Sequence, residues 1–299
     1  MKTAIGFVGV GAMGAGLAIN LARRGFPVWF VARDTARGQT AAARLEGAGA
    51  QRVADLAALG RQAGIVILCL PDSPAVEAVL DPAAGLTPNL AAGGVVIDCS
   101  TSHPASTRRL AAELAARGLV LLEAPLTGSR AQAEAGTVNV LGAGPKEAFE
   151  RVRPVLEGFA AHVFHLGGTG AGHTAKLINN YLGQLALAGL CEAWPLIAAS
   201  GIEPQALFDA ISVSGGNSAT FQGAYPRLRQ RDFAFSFAQR LAGKDIRYFR
   251  EVAEQAGQAV PLAGGLQAIH DQATAAGYGD QDVKALLLYY EERASKAAR

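Results

Sequence analysis

The sequence is short of the features that mark secreted, metal-binding or nucleic-acid-binding proteins. Only three cysteines occur in 299 residues: Cys69, Cys99 and Cys191. Their spacing fits no metal-ligand motif, and an odd, sparse count suits a reducing compartment. Cys69 and Cys99 each close an apolar run, a usual place for a small core residue. Charge is scarce as well, at 17% of residues with a net of +2. The densest basic run, Arg227-Leu228-Arg229-Gln230-Arg231, reads as a solvated turn, and no nucleic-acid partner is expected. Met1-Lys2-Thr3 leads straight into a predicted strand, so no signal peptide is expected and the chain is placed in the cytoplasm. The most apolar stretch, 181–199, carries Gln184 and Glu192 and is not expected to span a membrane. No repeat or low-complexity tract stands out. His162 and His165 lie three apart in a predicted strand, where their side chains point to opposite faces, so no metal site is expected.

What the sequence does have is apolar bulk. Half the residues are hydrophobic, and the length allows two domains, each with its own core. The strand 4–10 runs directly into Gly9-Val10-Gly11-Ala12-Met13-Gly14, and helical spacing follows as far as Arg24. Strand, glycine turn and helix in that order make a dinucleotide-binding fingerprint. Gly9 permits the tight turn, Gly11 lets backbone amides approach a pyrophosphate, and Gly14 lets helix and strand pack. Ala12 and Met13 complete the turn, and the helix N-terminus faces the phosphates.

The second strand, 28–31, ends in Ala32-Arg33-Asp34. An NAD site usually carries an acid at that strand end, whereas Arg33 suits the extra phosphate of NADP. Asp34, one residue on, keeps NAD open, but NADP is favoured. Strands and helices then alternate: strand 64–70, helix 74–80, strand 95–98, helix 103–117 and strand 119–123. This pattern predicts a doubly wound parallel sheet with ligands at the strand carboxyl ends. Leu70, Pro71 and Thr101 fall there and are expected to meet the cofactor. Pro125-Leu126-Thr127-Gly128-Ser129 follows the last strand, and its hydroxyls and amides could hold a carboxylate. Strands 138–141 and 162–165, with a helix 145–156 between them, complete a first domain over 1–166.

From 167 to 299 the pattern is helical: a long helix from Leu177 to about Ala199, then 204–212, 237–255, 262–276 and 280–294. Pro195 is expected to kink the long helix or end its first segment near Trp194. On a 3.6-residue period Gly172, Lys176 and Asn180 share one face. A helix made only to pack would not set Lys and Asn beside glycine, so Lys176 is the candidate for chemistry. Lys244, amid Phe237, Leu241, Ile246 and Tyr248, is expected to have a partly buried stem.

Several motifs in order carry a resemblance: Gly6 to Gly14, Leu70-Pro71-Asp72, Asp98-Cys99-Ser100-Thr101, the turn from Glu123 to Ser129, Gly170 to Asn180, and Lys244-Asp245. Over nearly its whole length the chain resembles the β-hydroxyacid dehydrogenases, the group of hydroxyisobutyrate dehydrogenase, tartronate semialdehyde reductase and the glyoxylate/succinic semialdehyde reductases. The resemblance implies a Rossmann-type α/β domain followed by an all-α domain, joined by a long helix. It implies hydride transfer between a nicotinamide and a small hydroxyacid or semialdehyde, and a homodimer or homotetramer. Lys176 would be the catalytic acid/base and Asn180 would hold the substrate. Thr127, Gly128 and Ser129 would meet the substrate carboxylate, while Thr101 and Lys244 would meet the cofactor. The family's usual turn is Asp-x-Pro-Val-Ser-Gly-Gly, and Glu123, Leu126, Thr127 and Ser129 depart from it. Glu123 with Ser129-Arg130 resembles the NADPH-using semialdehyde reductases, in line with Arg33. To serve in both directions Lys176 needs a pKa lowered by burial from about 10.4. His173 receives no role. A non-catalytic dinucleotide sensor and an imine reductase are the other readings of this scaffold; the pairing of Lys176 with Asn180 argues against the sensor.

Overall fold

Short aliphatic runs build the central sheet of the computed structural model, which describes residues 2–297. Six parallel strands carry it: β1 (Ile5–Val8), β2 (Val28–Val31), β3 (Gln51–Arg52), β4 (Ile65–Leu68), β5 (Val95–Asp98) and β6 (Val120–Glu123). Their order is β3-β2-β1-β4-β5-β6, so the winding reverses between β1 and β4. The crossovers are α1 (Gly14–Arg23), α2 (Ala36–Glu46), α3 (Leu56–Gln62), α4 (Ser73–Val79) and α5 (Pro104–Ala115). Helices on both faces explain why β4 and β5 read as unbroken apolar runs. Ile65 and Ile67 enter one core, while Val66 and Leu68 enter another on the opposite face.

A second, three-stranded sheet follows, built from β7 (Leu126–Thr127), β8 (Val138–Gly142) and β9 (Ala160–His165). β7 runs antiparallel to β8, and β8 parallel to β9. The helices α6 (Arg130–Ala135) and α7 (Lys146–Leu156) lie between these strands in sequence. The expected strands 138–141 and 162–165 therefore belong to a sheet of their own. His162 is exposed, and His165 bonds through Nε2 to the Gly144 carbonyl at 3.0 Å.

The remainder is helical: α8 (Ala171–Ala199), α9 (Pro204–Ser212), α10 (Ala219–Arg229), α11 (Gln239–Gln255), α12 (Pro261–Ala273) and α13 (Leu286–Ala297). Leu187, Cys191, Leu228, Ile246, Leu266 and Leu286 form its core. The chain divides into two compact units, one up to Lys176 and one from Leu177 onward. This division falls inside α8, ten residues past the 166/167 boundary drawn from the strand pattern.

Three expectations need correction. α8 begins at Ala171, six residues before Leu177, because glycine 172 continues the helix instead of leading into it. It also runs through Pro195 without a break. Proline removes one backbone bond, but Leu187, Ala188 and Cys191 are packed in the core just before it and carry the helix on. The basic run 227–231 begins in the last turn of α10, which ends at Arg229, and only Gln230 and Arg231 form a turn; its arginines are solvated as expected, while Leu228 is buried.

Candidate functional site

The turn after β1 has the geometry its glycines require. Gly9 sits at φ 94°, and a β-carbon there would lie 2.2 Å from the Cys69 carbonyl oxygen. At Gly14 a β-carbon would lie 2.1 Å from the Gly9 carbonyl oxygen, so α1 could not start so close to β1. Gly11 is the opposite case: a β-carbon there meets nothing within 4 Å, and both Gly11 and Ala12 are exposed. Room is kept on the outer side of the turn, at the N-terminus of α1, where no side chain caps Met13. That is the space and polarity a pyrophosphate needs, so these residues fit a dinucleotide. Beneath the turn, burial and the charge of Asp98 push the Cys69 thiol up to about 12, partly offset by a hydrogen bond from the Gly14 amide.

The other strand ends gather on the same edge. Arg33 is exposed, two residues past β2, just ahead of the Thr35 cap of α2. Asp34 accepts from Gln39 Nε2 at 2.8 Å, so its carboxylate is engaged locally. The Leu70 amide donates to Ser100 Oγ at 2.9 Å, which ties the Leu70–Pro71 segment to the loop that holds Thr101. Thr127 Oγ1 accepts from Asn139 Nδ2 at 3.2 Å, and Gly128 is exposed at φ 125°. Ser129 is the N-cap of α6 in a capping box with Gln132, so its amide and hydroxyl are already engaged.

Lys176 is half-buried in the second turn of α8. The turn before it is held from the sheet: Glu123 at the end of β6 accepts from the amides of Gly170 and His173, the latter at 2.7 Å. Gly172 is small for this reason. A β-carbon there would lie 2.6 Å from the Leu141 carbonyl oxygen and 3.0 Å from Glu123 Cβ. The protein itself fills the space beside Gly172.

The second unit holds the other expected residues. Asn180 Nδ2 donates to Asp245 Oδ2 at 2.6 Å, while Lys244 Nζ pairs with Asp245 Oδ1 at 3.1 Å. The Lys244 ammonium also lies 5.1 Å from the centre of the Tyr248 ring. Lys244 and Asp245 are 7% and 1% exposed, so the stem of Lys244 is fully packed. Asp245 thus joins the expected substrate residue to the expected cofactor residue. The Asn180 amide oxygen accepts from Asn179 Nδ2 at 3.2 Å. The sequence offered no sign of this bridge, because Asp245 looked like an acid beside a lysine on an ordinary helix.

Residues 4–167 match the profile of the NAD binding domain of 6-phosphogluconate dehydrogenase, and residues 170–290 that described as NAD-binding of NADP-dependent 3-hydroxyisobutyrate dehydrogenase. The chain belongs to the β-hydroxyacid dehydrogenase family. It is an NAD(P)-dependent dehydrogenase of the Rossmann type with a helical second domain. The 3-hydroxyisobutyrate dehydrogenase of Pseudomonas aeruginosa is 35% identical over 91% of this chain and 94% of its own length. The 3-sulfolactaldehyde reductase of Escherichia coli is 32% identical over 95% and 94%. Among solved structures, a 3-hydroxyisobutyrate dehydrogenase from Salmonella typhimurium superposes with a TM-score of 0.86 at 29% identity, covering 96% of this chain and all of the other.

Proposed function

We propose that this enzyme interconverts a small carboxylate-bearing hydroxyacid and its aldehyde, with Lys176 as the general acid/base and NADP preferred over NAD. The observation that carries the reading is the placement of Lys176. It stands in the second turn of α8, one turn ahead of Asn180, and the first turn is bonded to the carboxyl end of β6. Strand carboxyl ends are where this fold binds its ligands.

The nicotinamide, when bound, supplies or accepts the hydride. Gly9, Gly11, Ala12, Met13 and Gly14 hold the phosphates, Arg33 meets the additional phosphate of NADP, and Leu70, Pro71, Thr101 and Lys244 line the rest of the cofactor site. Thr127 offers a hydroxyl and Gly128 an exposed amide to the substrate carboxylate. Ser129 supports that turn through its cap. In the reducing direction the Lys176 ammonium hydrogen-bonds the carbonyl oxygen and gives it a proton; in the oxidising direction the amine takes the hydroxyl proton. Asn180, one turn on, holds the substrate oxygen or the Lys176 side chain in place. The partners of the enzyme are this substrate and a second copy of the chain.

Lys176→Ala tests the assignment. With a panel of semialdehydes, glyoxylate and hydroxyacids, the variant should lose turnover by roughly a thousandfold or more while binding NADPH almost as the parent does. Turnover and NADPH affinity falling together would remove Lys176 from the chemistry. A cyclic imine in the same panel separates carbonyl from imine reduction.

A further inference from the structure

His173 has no part in the chemistry above, yet it is wholly buried between two carboxylates. Its Nδ1 lies 2.8 Å from Thr107 Oγ1 of α5 and 3.3 Å from Glu123 Oε2 at the end of β6. Its Nε2 lies 3.6 Å from Asp98 Oδ2 at the end of β5. The Thr107 hydroxyl also reaches the His103 carbonyl, at 3.3 Å, so it links the imidazole to the backbone of α5.

The same two carboxylates hold backbone. Glu123 takes the Gly170 and His173 amides at the start of α8. Asp98 takes the Ser100 amide at 2.9 Å and the Ser102 hydroxyl at 2.7 Å, the residues on either side of Thr101. Ser100 in turn receives the Leu70 amide. Three segments with proposed site residues hang from one buried knot: Leu70–Pro71, the loop around Thr101, and the turn of α8 that leads to Lys176. Several helices in this chain are capped from their own sequence, as at Thr35, Asp55 and Ser129, whereas α8 is held from the sheet. Burying two carboxylates against an imidazole is costly unless each finds its partners.

We propose that His173 is a positioning residue for Lys176. Its ring, bonded to Thr107 and set between Asp98 and Glu123, locks the first turn of α8 to the ends of β5 and β6. Lys176 is thereby kept in register with the loop that carries Thr101. The inference rests on Lys176 acting as the acid/base.

The test compares the parent, His173→Leu, His173→Gln and Lys176→Ala in kcat against pH, with NADPH fluorescence titration to count binding sites. Leucine fills the space without a donor, whereas glutamine brings an N–H back toward Thr107. His173→Leu should lose roughly ten- to a hundredfold in kcat per NADPH site, with a smaller change in KM for the aldehyde. Its alkaline limb, which reports the proton on Lys176, should move, and His173→Gln should recover most of both effects. An unmoved limb, with kcat falling only in step with lost NADPH sites, would overturn the proposal; so would a glutamine variant no better than leucine. If His173→Leu yields no NADPH-binding protein, Thr107→Val, which deletes only the hydroxyl partner of the ring, is read in the same way. A fully active Lys176→Ala would sink the acid/base reading and this inference with it. An inactive Lys176→Ala beside an unchanged His173→Leu would sink this inference alone.

Discussion

At the scale of single residues, cofactor choice turns on Arg33. It is exposed just beyond β2, and the acid beside it, Asp34, is engaged with Gln39. A carboxylate at position 33 would repel the extra phosphate of NADP and accept from ribose hydroxyls instead. Arg33→Asp should move the ratio of kcat/KM for NADP over NAD by roughly tenfold or more toward NAD. An unchanged ratio would take Arg33 out of the cofactor site. The glycine turn was legible in the sequence because its requirements are local: a positive φ at Gly9 and a close approach at Gly14 follow from one strand–turn–helix unit. The knot around His173 was not. Thr107 lies 66 positions from His173 and Glu123 lies 50, so no periodicity connects them. The need for glycine at 172 was hidden for the same reason, since the atoms that require its smallness lie on β6 and β8.

At the scale of elements, α8 governs most of what was hard to foresee. Its 29 residues make a rod roughly 43 Å long. It is long and apolar enough to cross a membrane by length and composition, with a mean hydropathy of 1.4 over its most apolar stretch. Yet Ile178, Leu182 and Leu196 stand exposed, the last at 72%. Such a face calls for a cover, and a second copy of the chain is the proposed one. Light scattering of the parent should give a mass above one chain, and Leu182→Arg should lower it. A monomeric parent that floats with lipid vesicles would assign the face to a membrane instead. Other elements escaped sequence reading through their size or composition. β3 has two residues, too few to show alternation, and α10 contains Pro226 and ends in arginines, which looked like a turn. The alternation of β1, β4, β5 and β6 with helices was plain, because each of these strands is a run of apolar residues covered on both faces.

The whole molecule has two units, each with its own apolar core and its own tryptophan, Trp29 in the first and Trp194 in the second. They should differ in acid tolerance because of His270, which is buried in the second core with Nδ1 2.8 Å from Gln239 Nε2. Burial pulls its pKa from 6.5 down to about 4, against a smaller opposing pull from Asp271. Below pH 6.5 the unfolded chain takes a proton that the folded one refuses. The contribution to stability is therefore full above pH 6.5 and is lost as pH falls toward 4, amounting to roughly 3 kcal/mol. In a Trp29→Phe background, where Trp194 reports the second unit, the urea midpoint should drop between pH 7 and pH 4.5. His270→Gln should flatten that drop, and an equal slope in both proteins would show that His270 does not set it.

The cap on α8 also limits how sequence can be exchanged among relatives. Glu123 reaches two amides, those of Gly170 and His173, with its two oxygens. Aspartate, the usual family residue at that place, is one methylene shorter and could not span from the end of β6 to both amides unless the helix start came closer. Coming closer is blocked, because Gly172 already abuts the Leu141 carbonyl with no side chain left to remove. The β6 turn and the head of α8 therefore form an inheritable pair. A chimera that takes the carboxylate from one branch and the helix from another inherits a helix whose first turn has lost its anchor, and the lysine riding on it goes astray.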